Sequence, residues 1–308
     1  MSRPEPLISV IIPTYNYAHL LPRALNSVFQ QMAEDVELIV VNDGSRDNTG
    51  EVLAAYQRQQ IQGFRVEHQV NAGAAAARNS GIRLARGRFA LLLDADDELL
   101  PGALSCLREV LAHNPEAGLV LGAQVSVYPD GRERIRLPTP VTNTHSPCEL
   151  TRRYLLEKKI SISHCCTLFR RDLLLQRPYP ESLRTGEDVP VFAYLLVNAL
   201  VVTTARPLAR IHKHSDSLRH NREDEEVVAQ RMVREVFAGL PHECQQLRRQ
   251  YEAQRYLSLF RAAVLGGDRE AAKRFYWHAL ELHPYQALRW SYLRKALRLL
   301  GRGTRNRR

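Results

Sequence analysis

Short apolar, β-rich runs alternate with helical patterns through the first 128 residues, and this alternation constrains the fold more than any other feature of the chain. Leu7 to Ile12, Glu37 to Val41, Phe64 to His68, Phe89 to Leu93 and Leu119 to Tyr128 read as strands. Between them His19 to Gln31, Asn48 to Gln59, Ala74 to Ala85 and Pro101 to Ala112 read as helices, the first with Leu21, Leu25, Val28 and Phe29 at helical spacing. Connections of this kind close right-handed βαβ units, so the chain is predicted to be α/β, with a mainly parallel sheet covered by helices on both faces. Ligands meet such sheets at the carboxyl ends of the strands. Pro13 to Asn16, Asp43, Asn71 to Gly73 and Asp94 to Asp97 occupy those ends and are polar or turn-forming.

Composition narrows the class. The 308 residues are 44% hydrophobic, enough for a sizeable core and too apolar for a disordered chain. No apolar run reaches the ~18 residues of a membrane-spanning helix, and Met-Ser-Arg-Pro-Glu-Pro lacks the basic-then-apolar plan of a signal peptide, so a cytoplasmic location is expected. Five cysteines without a C-x-x-C pair suit reduced thiols, and no chemistry is assigned to them. The net charge of +10 sits mostly in the tail, because residues 285–308 hold eight Lys/Arg and no acid. A nucleic-acid-binding protein spreads its basic residues over a folded face, so nucleic acid is not an expected partner. The tail, with Leu288, Trp290, Leu293, Ala296, Leu297 and Leu300 among basic residues, reads either as an interfacial helix on an anionic membrane or as a packing helix with a solvated basic end.

The strand-end acids carry the chemistry. Asp94 and Asp96, one residue apart, project to one side of an extended backbone and suit a hard cation, Mn²⁺ or Mg²⁺. The competing reading is an acidic helix start, with Asp96, Asp97 and Glu98 ahead of the Pro101 helix.

Four ordered blocks bear on that choice: Ile8 to Asn16; Glu37 to Asp47 with Asn42-Asp43-Gly44-Ser45; Asn71-Ala72-Gly73 with Ala77-Arg78-Asn79; and Asp94-Ala95-Asp96-Asp97. Together they resemble glycosyltransferase family 2, whose members have the GT-A fold and invert configuration at the anomeric carbon. The resemblance implies a nucleotide-sugar donor held by Pro13, Thr14, Tyr15, Asn16, Asp43, Asn71, Gly73, Arg78, Asp94 and Ala95. In that reading Tyr15 stacks on the base, Asp43 accepts the imide N–H of a uracil or thymine, Arg78 reaches base or diphosphate, and Asp94 touches ribose. Asp96 binds the metal, which offsets charge on the leaving diphosphate.

A fifth block, Thr185-Gly186-Glu187-Asp188, resembles the family's acceptor-side motif and implies that Asp188 is the general base; the competing reading is a helix cap. His212 opens H-x-x-S-x-S, a pattern whose histidine completes the metal shell or contacts diphosphate in the resemblance, with His214 a competitor. Gln286 to Trp290 spells Q-x-x-R-W, the mark of processive synthases, but 98 residues beyond Asp188 and outside that motif's context. Single-sugar transfer is therefore expected, to a surface glycan or lipid-linked acceptor. The expected organisation is a GT-A domain over 1–220 and a helical extension over 221–308 that carries the basic amphipathic tail, whose membrane-surface reading would make the protein peripheral. A sugar-nucleotide pyrophosphorylase is the rival enzyme, but Pro13-Thr14-Tyr15-Asn16 stands where its Gly-rich loop belongs.

Overall fold

The structure, a computed structural model, describes residues 5–141, 145–213 and 225–301, without the side chains of residues 300 and 301. Its first half follows the sequence pattern closely: β1 (Ile8–Thr14), α1 (Leu21–Phe29), β2 (Val36–Asp43), α2 (Thr49–Gln57), β3 (Phe64–Gln69), α3 (Ala74–Leu84) and β4 (Phe89–Leu92). These four strands pair in parallel in the order β3-β2-β1-β4, with Ile8 opposite both Val36 and Phe89. β2 is buried along its whole length, as a parallel strand covered on both faces must be.

Side-chain alternation along the strands splits the core in two. Val10, Ile12, Leu38 and Val40 pack with α1 and Leu53 of α2, whereas Ile11, Ile39 and Val41 pack with Ala77 and Ile82 of α3. α3 lies unusually close to β1, because a Cβ on Gly81 would fall 2.3 Å from the Ile11 side chain. That glycine sets the height of Arg78, one turn earlier on the same helix.

The second half is β5 (Glu98–Leu99), α4 (Ala103–His113), β6 (Ala117–Val127), β7 (Glu133–Arg136), α5 (Pro147–Leu155), β8 (Thr167–Arg170), α6 (Arg171–Gln176), α7 (Asp188–Asn198) and β9 (Leu200–His212). The sheet runs β3-β2-β1-β4-β8-β6-β9-β5, with β7 on β6. β8 inserts antiparallel between β4 and β6, while β9 is parallel to β6. The parallel pattern therefore holds over the first four strands and the sheet becomes mixed beyond them.

The C-terminal segment is helical: α8 (Glu225–Ala238), α9 (Arg248–Gly266), α10 (Arg269–Leu282), α11 (Pro284–Ala287) and α12 (Trp290–Gly301). Gly267, at φ 78°, ends α9 and Pro284 opens α11. α8 and α9 share a core with α5 and α7 through Leu155, Ala193, Val236, Phe237 and Tyr251, so the extension packs on the first unit. In α12, Tyr292, Ala296 and Leu299 join Tyr256, Phe260 and Tyr276. That side of the tail is a packing face, and the exposed apolar residues around it are Trp277, Leu288, Trp290 and Leu297. Among the described residues no helix is long and apolar enough to cross a membrane. His214, Ser215 and Ser217, the 220/221 boundary, and Arg302, Arg305, Arg307 and Arg308 lie outside the described residues.

Candidate active site

The loops that follow β1, β2 and β3 are tied together at the carboxyl ends of the strands. Asn16, at φ 57°, donates its N–H to Ser45 Oγ (3.0 Å) and accepts from the Arg46 N–H (2.7 Å). Tyr15 beside it is 38% exposed, while Pro13 and Thr14 belong to β1 itself. The buried Asp43 carboxylate accepts four bonds: Gln69 Nε2 (2.7 Å) and the Ala72 N–H (2.9 Å) on Oδ1, and Asn71 Nδ2 (3.2 Å) and the Gly73 N–H (2.8 Å) on Oδ2. Its lone pairs are thus filled by the Asn71–Gly73 loop, and a base imide has to displace a side-chain amide to reach it. Gly73, at φ 93°, turns the chain into α3.

From α3, Arg78 reaches between two acidic segments. Its Nη2 lies 3.2 Å from Asp94 Oδ1 and its Nη1 lies 2.7 Å from Glu187 Oε1. The guanidinium is nearly buried and passes 5.8 Å from the Tyr179 ring centroid. Burial pushes the Asp94 carboxyl up, but Arg78, His164 and Cys165 together outweigh that and hold it below the ordinary value. The expected donor-side arginine is therefore committed to the two acid motifs. Glu187 is its partner, a pairing that no local spacing announces. His164, beneath it, bonds the Tyr179 hydroxyl (3.0 Å); burial and then Arg78 drive its pKa down to about 3, so the ring is neutral.

The acidic loop after β4 shows which residues suit a metal. Asp94, Asp97 and Cys165 bring ligand atoms within 4.8 Å of one another. This group contains neither Asp96 nor His212. Cys165 donates to Asp97 Oδ2 (3.1 Å), and burial followed by the neighbouring acids drives its thiol well above its ordinary value. A thiol that keeps its proton is no ligand for a hard cation. Asp97 also accepts the His212 N–H (2.9 Å), while the His212 ring meets Glu98 Oε1 (3.1 Å). Burial and then the charges of Asp94 and Asp96 raise Asp97 to about 7. Negative charge is thus crowded here, and Asp94 and Asp96, flanking buried Ala95, are half-buried carboxylates, the oxygen-ligand type that Mn²⁺ or Mg²⁺ takes. All five cysteines are free, as expected. Cys165 and His164 nevertheless take part in the site, because the antiparallel pairing of β8 with β4 sets them beside Asp94.

Asp188 is the first residue of α7, and Glu187, in the cap position, makes no side-chain cap bond. Burial and then Glu187 raise the Asp188 carboxyl, against the opposing pull of its own N–H and that of Val189. Tyr154, Tyr179 and Tyr251 all feel its charge, so α9 of the extension closes over the same region. Q-x-x-R-W, by contrast, spans α11 and the start of α12, where Gln286 and Ala287 are buried in the C-terminal cluster.

The Glycosyl transferase family 2 profile matches residues 9–177, more than half of the chain. The chain belongs to this family. Over 109 residues this family 2 chain is 37% identical to the uncharacterized glycosyltransferase EpsJ of Bacillus subtilis (strain 168), a match covering 35% of this chain and 31% of EpsJ. It is 37% identical over 127 residues to the chondroitin synthase of Pasteurella multocida (strain Pm70), covering 41% of this chain and 13% of the synthase. The matched stretch spans about a third of the length of the first of these curated relatives, and less of the second. Among solved structures, S. aureus TarS 1-349 in complex with UDP-GlcNAc superposes with a TM-score of 0.66 at 22% identity, covering 88% of this chain and 81% of TarS. The mannosyltransferase PcManGT of Pyrobaculum calidifontis, in complex with GDP-Man and Mn²⁺, gives 0.53 at 15% identity, covering 99% and 88%. At these identities the likeness establishes the fold, which is GT-A.

Proposed function

We propose that this family 2 chain moves one sugar from a nucleotide sugar, a UDP-sugar first among them, to a hydroxyl of a glycan or lipid-linked acceptor, with inversion at the anomeric carbon. The observation that carries the reading is the Arg78 bridge, which joins the donor-side acid Asp94 to Glu187, the residue before Asp188. The family profile and the UDP-GlcNAc bound to TarS support the donor class.

In this reading the base lies against Tyr15 and is read at Asp43, where the side-chain amides of Gln69 and Asn71 yield to it. Asp94 meets the ribose. A divalent cation, when bound, neutralises charge on the departing diphosphate, and Asp96 with Asp94 would hold it. His212 acts on the acidic loop through Asp97 and Glu98. Asp188 accepts the proton of the acceptor hydroxyl while the new C–O bond forms on the face opposite the leaving group; its raised pKa suits a base that keeps the proton it takes. The exposed Trp277, Leu288, Trp290 and Leu297, interspersed with basic residues, support peripheral contact with an anionic membrane.

A thermal-shift series with UDP-, dTDP- and GDP-sugars, with and without Mn²⁺, tests the donor class. Ligand at 100 times its Kd adds ~2.7 kcal/mol of stability. A shift with a UDP-sugar that grows with Mn²⁺ is expected; no shift with any nucleotide sugar contradicts the proposal.

A further inference from the structure

We propose that the end of the sheet opposite the donor loops carries a second binding site, for phosphate groups presented two or more together. A cavity of about 700 Å³ opens there, and Arg83, Arg86, Arg88, Arg170 and Arg171 are among the residues that line it. β1 begins at Ile8 beside this cavity and ends at Thr14 in the donor loops. At ~3.3 Å per residue the two sites lie roughly 20 Å apart. None of the residues assigned to donor or base lines the cavity.

The charge there is unbalanced. Two acids line the wall, Glu5 and Asp172, and Asp172 is taken by Arg170 at 2.8 Å. Arg86 is paired from behind with Glu37 (3.5 Å), which also holds Arg65 (2.7 Å). The other three guanidiniums bond neutral oxygens: Arg83 to Ser80 Oγ (2.9 Å), Arg88 to the Pro115 carbonyl (3.0 Å), and Arg171 to the carbonyls of Ile82 (3.0 Å) and Arg83 (3.3 Å). The exposed Glu5 is the one acid of the wall left to set against these three positive charges.

The arginines are also held in place. Buried Glu37 accepts the N–H groups of Arg86 (2.6 Å) and Gly87 (3.2 Å) and the Ser9 hydroxyl (2.7 Å). The turn can seat this deeply because residue 87 is glycine: a Cβ would fall 2.5 Å from Ser9 Oγ. The Arg171 N–H donates to the Arg88 carbonyl (3.0 Å), tying the second arginine pair to the first. Guanidinium forks match phosphate oxygens two at a time, and forks fixed before the ligand arrives lose less entropy on binding. Forks on two turns favour two phosphates over one, and the cavity volume is that of a small-molecule site.

The test uses the full chain in metal-free buffer. Calorimetric titration with inorganic pyrophosphate is expected to show binding that weakens as salt rises and is reduced at least ~10-fold in Arg83→Ala/Arg88→Ala. Both arginine side chains are exposed, and a thermal melt checks that the double variant is folded. Arg88→Lys, which keeps the charge and loses the fork, is expected to fall between the two. A parallel arm sediments the same proteins with phosphatidylglycerol vesicles. Arginine-dependent binding in the pyrophosphate arm identifies a soluble ligand, and arginine-dependent binding in the vesicle arm alone identifies lipid headgroups. Binding that is absent from both arms, or equal in wild type and the double variant, overturns the proposal.

Discussion

Arg78 donates to Glu187 across 2.7 Å although 109 residues separate them, and its other terminal nitrogen holds Asp94. One side chain of α3 thereby fixes the distance between the loop after β4 and the start of α7. Removing it leaves two partly buried carboxylates without their shared counter-charge, so Arg78→Ala is expected to cost about 3 kcal/mol of stability. The check is a urea melt: the midpoint should fall with the slope unchanged. An unmoved midpoint would mean that the bridge contributes nothing to the fold.

Asp188 is raised above its unfolded pKa, by burial first and Glu187 second. A carboxyl of this kind lowers stability as pH climbs from the unfolded to the folded pKa, because over that span the folded state holds more protons. Above the folded pKa the full cost remains. Asp188→Asn removes it while keeping a side chain that serves equally as a helix cap, so its melting temperature at pH 7 should equal or exceed that of wild type. In the wild type, transfer should fail on acidification at a pH above the ordinary aspartate value near 3.8. A melting temperature well below wild type would assign Asp188 a structural role.

Asp96→Ala should abolish the Mn²⁺ dependence of nucleotide binding and leave the fold intact, since the side chain is half-buried and outside the apolar clusters. UDP titrations with and without Mn²⁺ read this directly. Equal enhancement by Mn²⁺ in variant and wild type would move the ion elsewhere.

For the tail, cutting at Pro284 is expected to destabilise the C-terminal bundle, because Ala287, Tyr292, Ala296 and Leu299 belong to its core. Trp290→Ser/Leu297→Ser changes only exposed side chains. If the bundle touches an anionic bilayer, this double variant keeps its melting temperature and sediments less with phosphatidylglycerol vesicles, most clearly at low salt. Sedimentation equal to wild type would leave α12 a packing helix alone.

The first four strands and their helices were legible because β1, β2 and β4 carry largely apolar runs bounded by turn residues and β3 alternates apolar Phe64 and Val66 with polar residues, each followed by a helical pattern. The loops at their carboxyl ends followed from topology. β8 was not legible: Thr167 to Arg170 is four residues long, and its place depends on antiparallel register with β4. That register is what sets Cys165 and His164 beside Asp94, so their part in the site was hidden with it. Glu187 stood in a recognised motif, but its partner Arg78 is set by the close approach of α3 to β1 at Gly81, a contact without local signal. His212 was found at the acidic loop, yet its ring pairs with Glu98, whose pairing with Arg210 across β5 and β9 is again a matter of register.

In the proposed function Asp188 drives sugar transfer from a nucleotide donor held by the strand-end loops. The most direct measurement is nucleoside diphosphate release from a UDP-sugar panel with Mn²⁺ and acceptor, run beside donor affinity, for wild type and Asp188→Asn. Donor affinity should be nearly the same in the two proteins, and release should fall at least ~10²-fold in the variant, as loss of a general base requires. Release near the wild-type rate in Asp188→Asn, or no release from any donor by the wild type, would contradict the account.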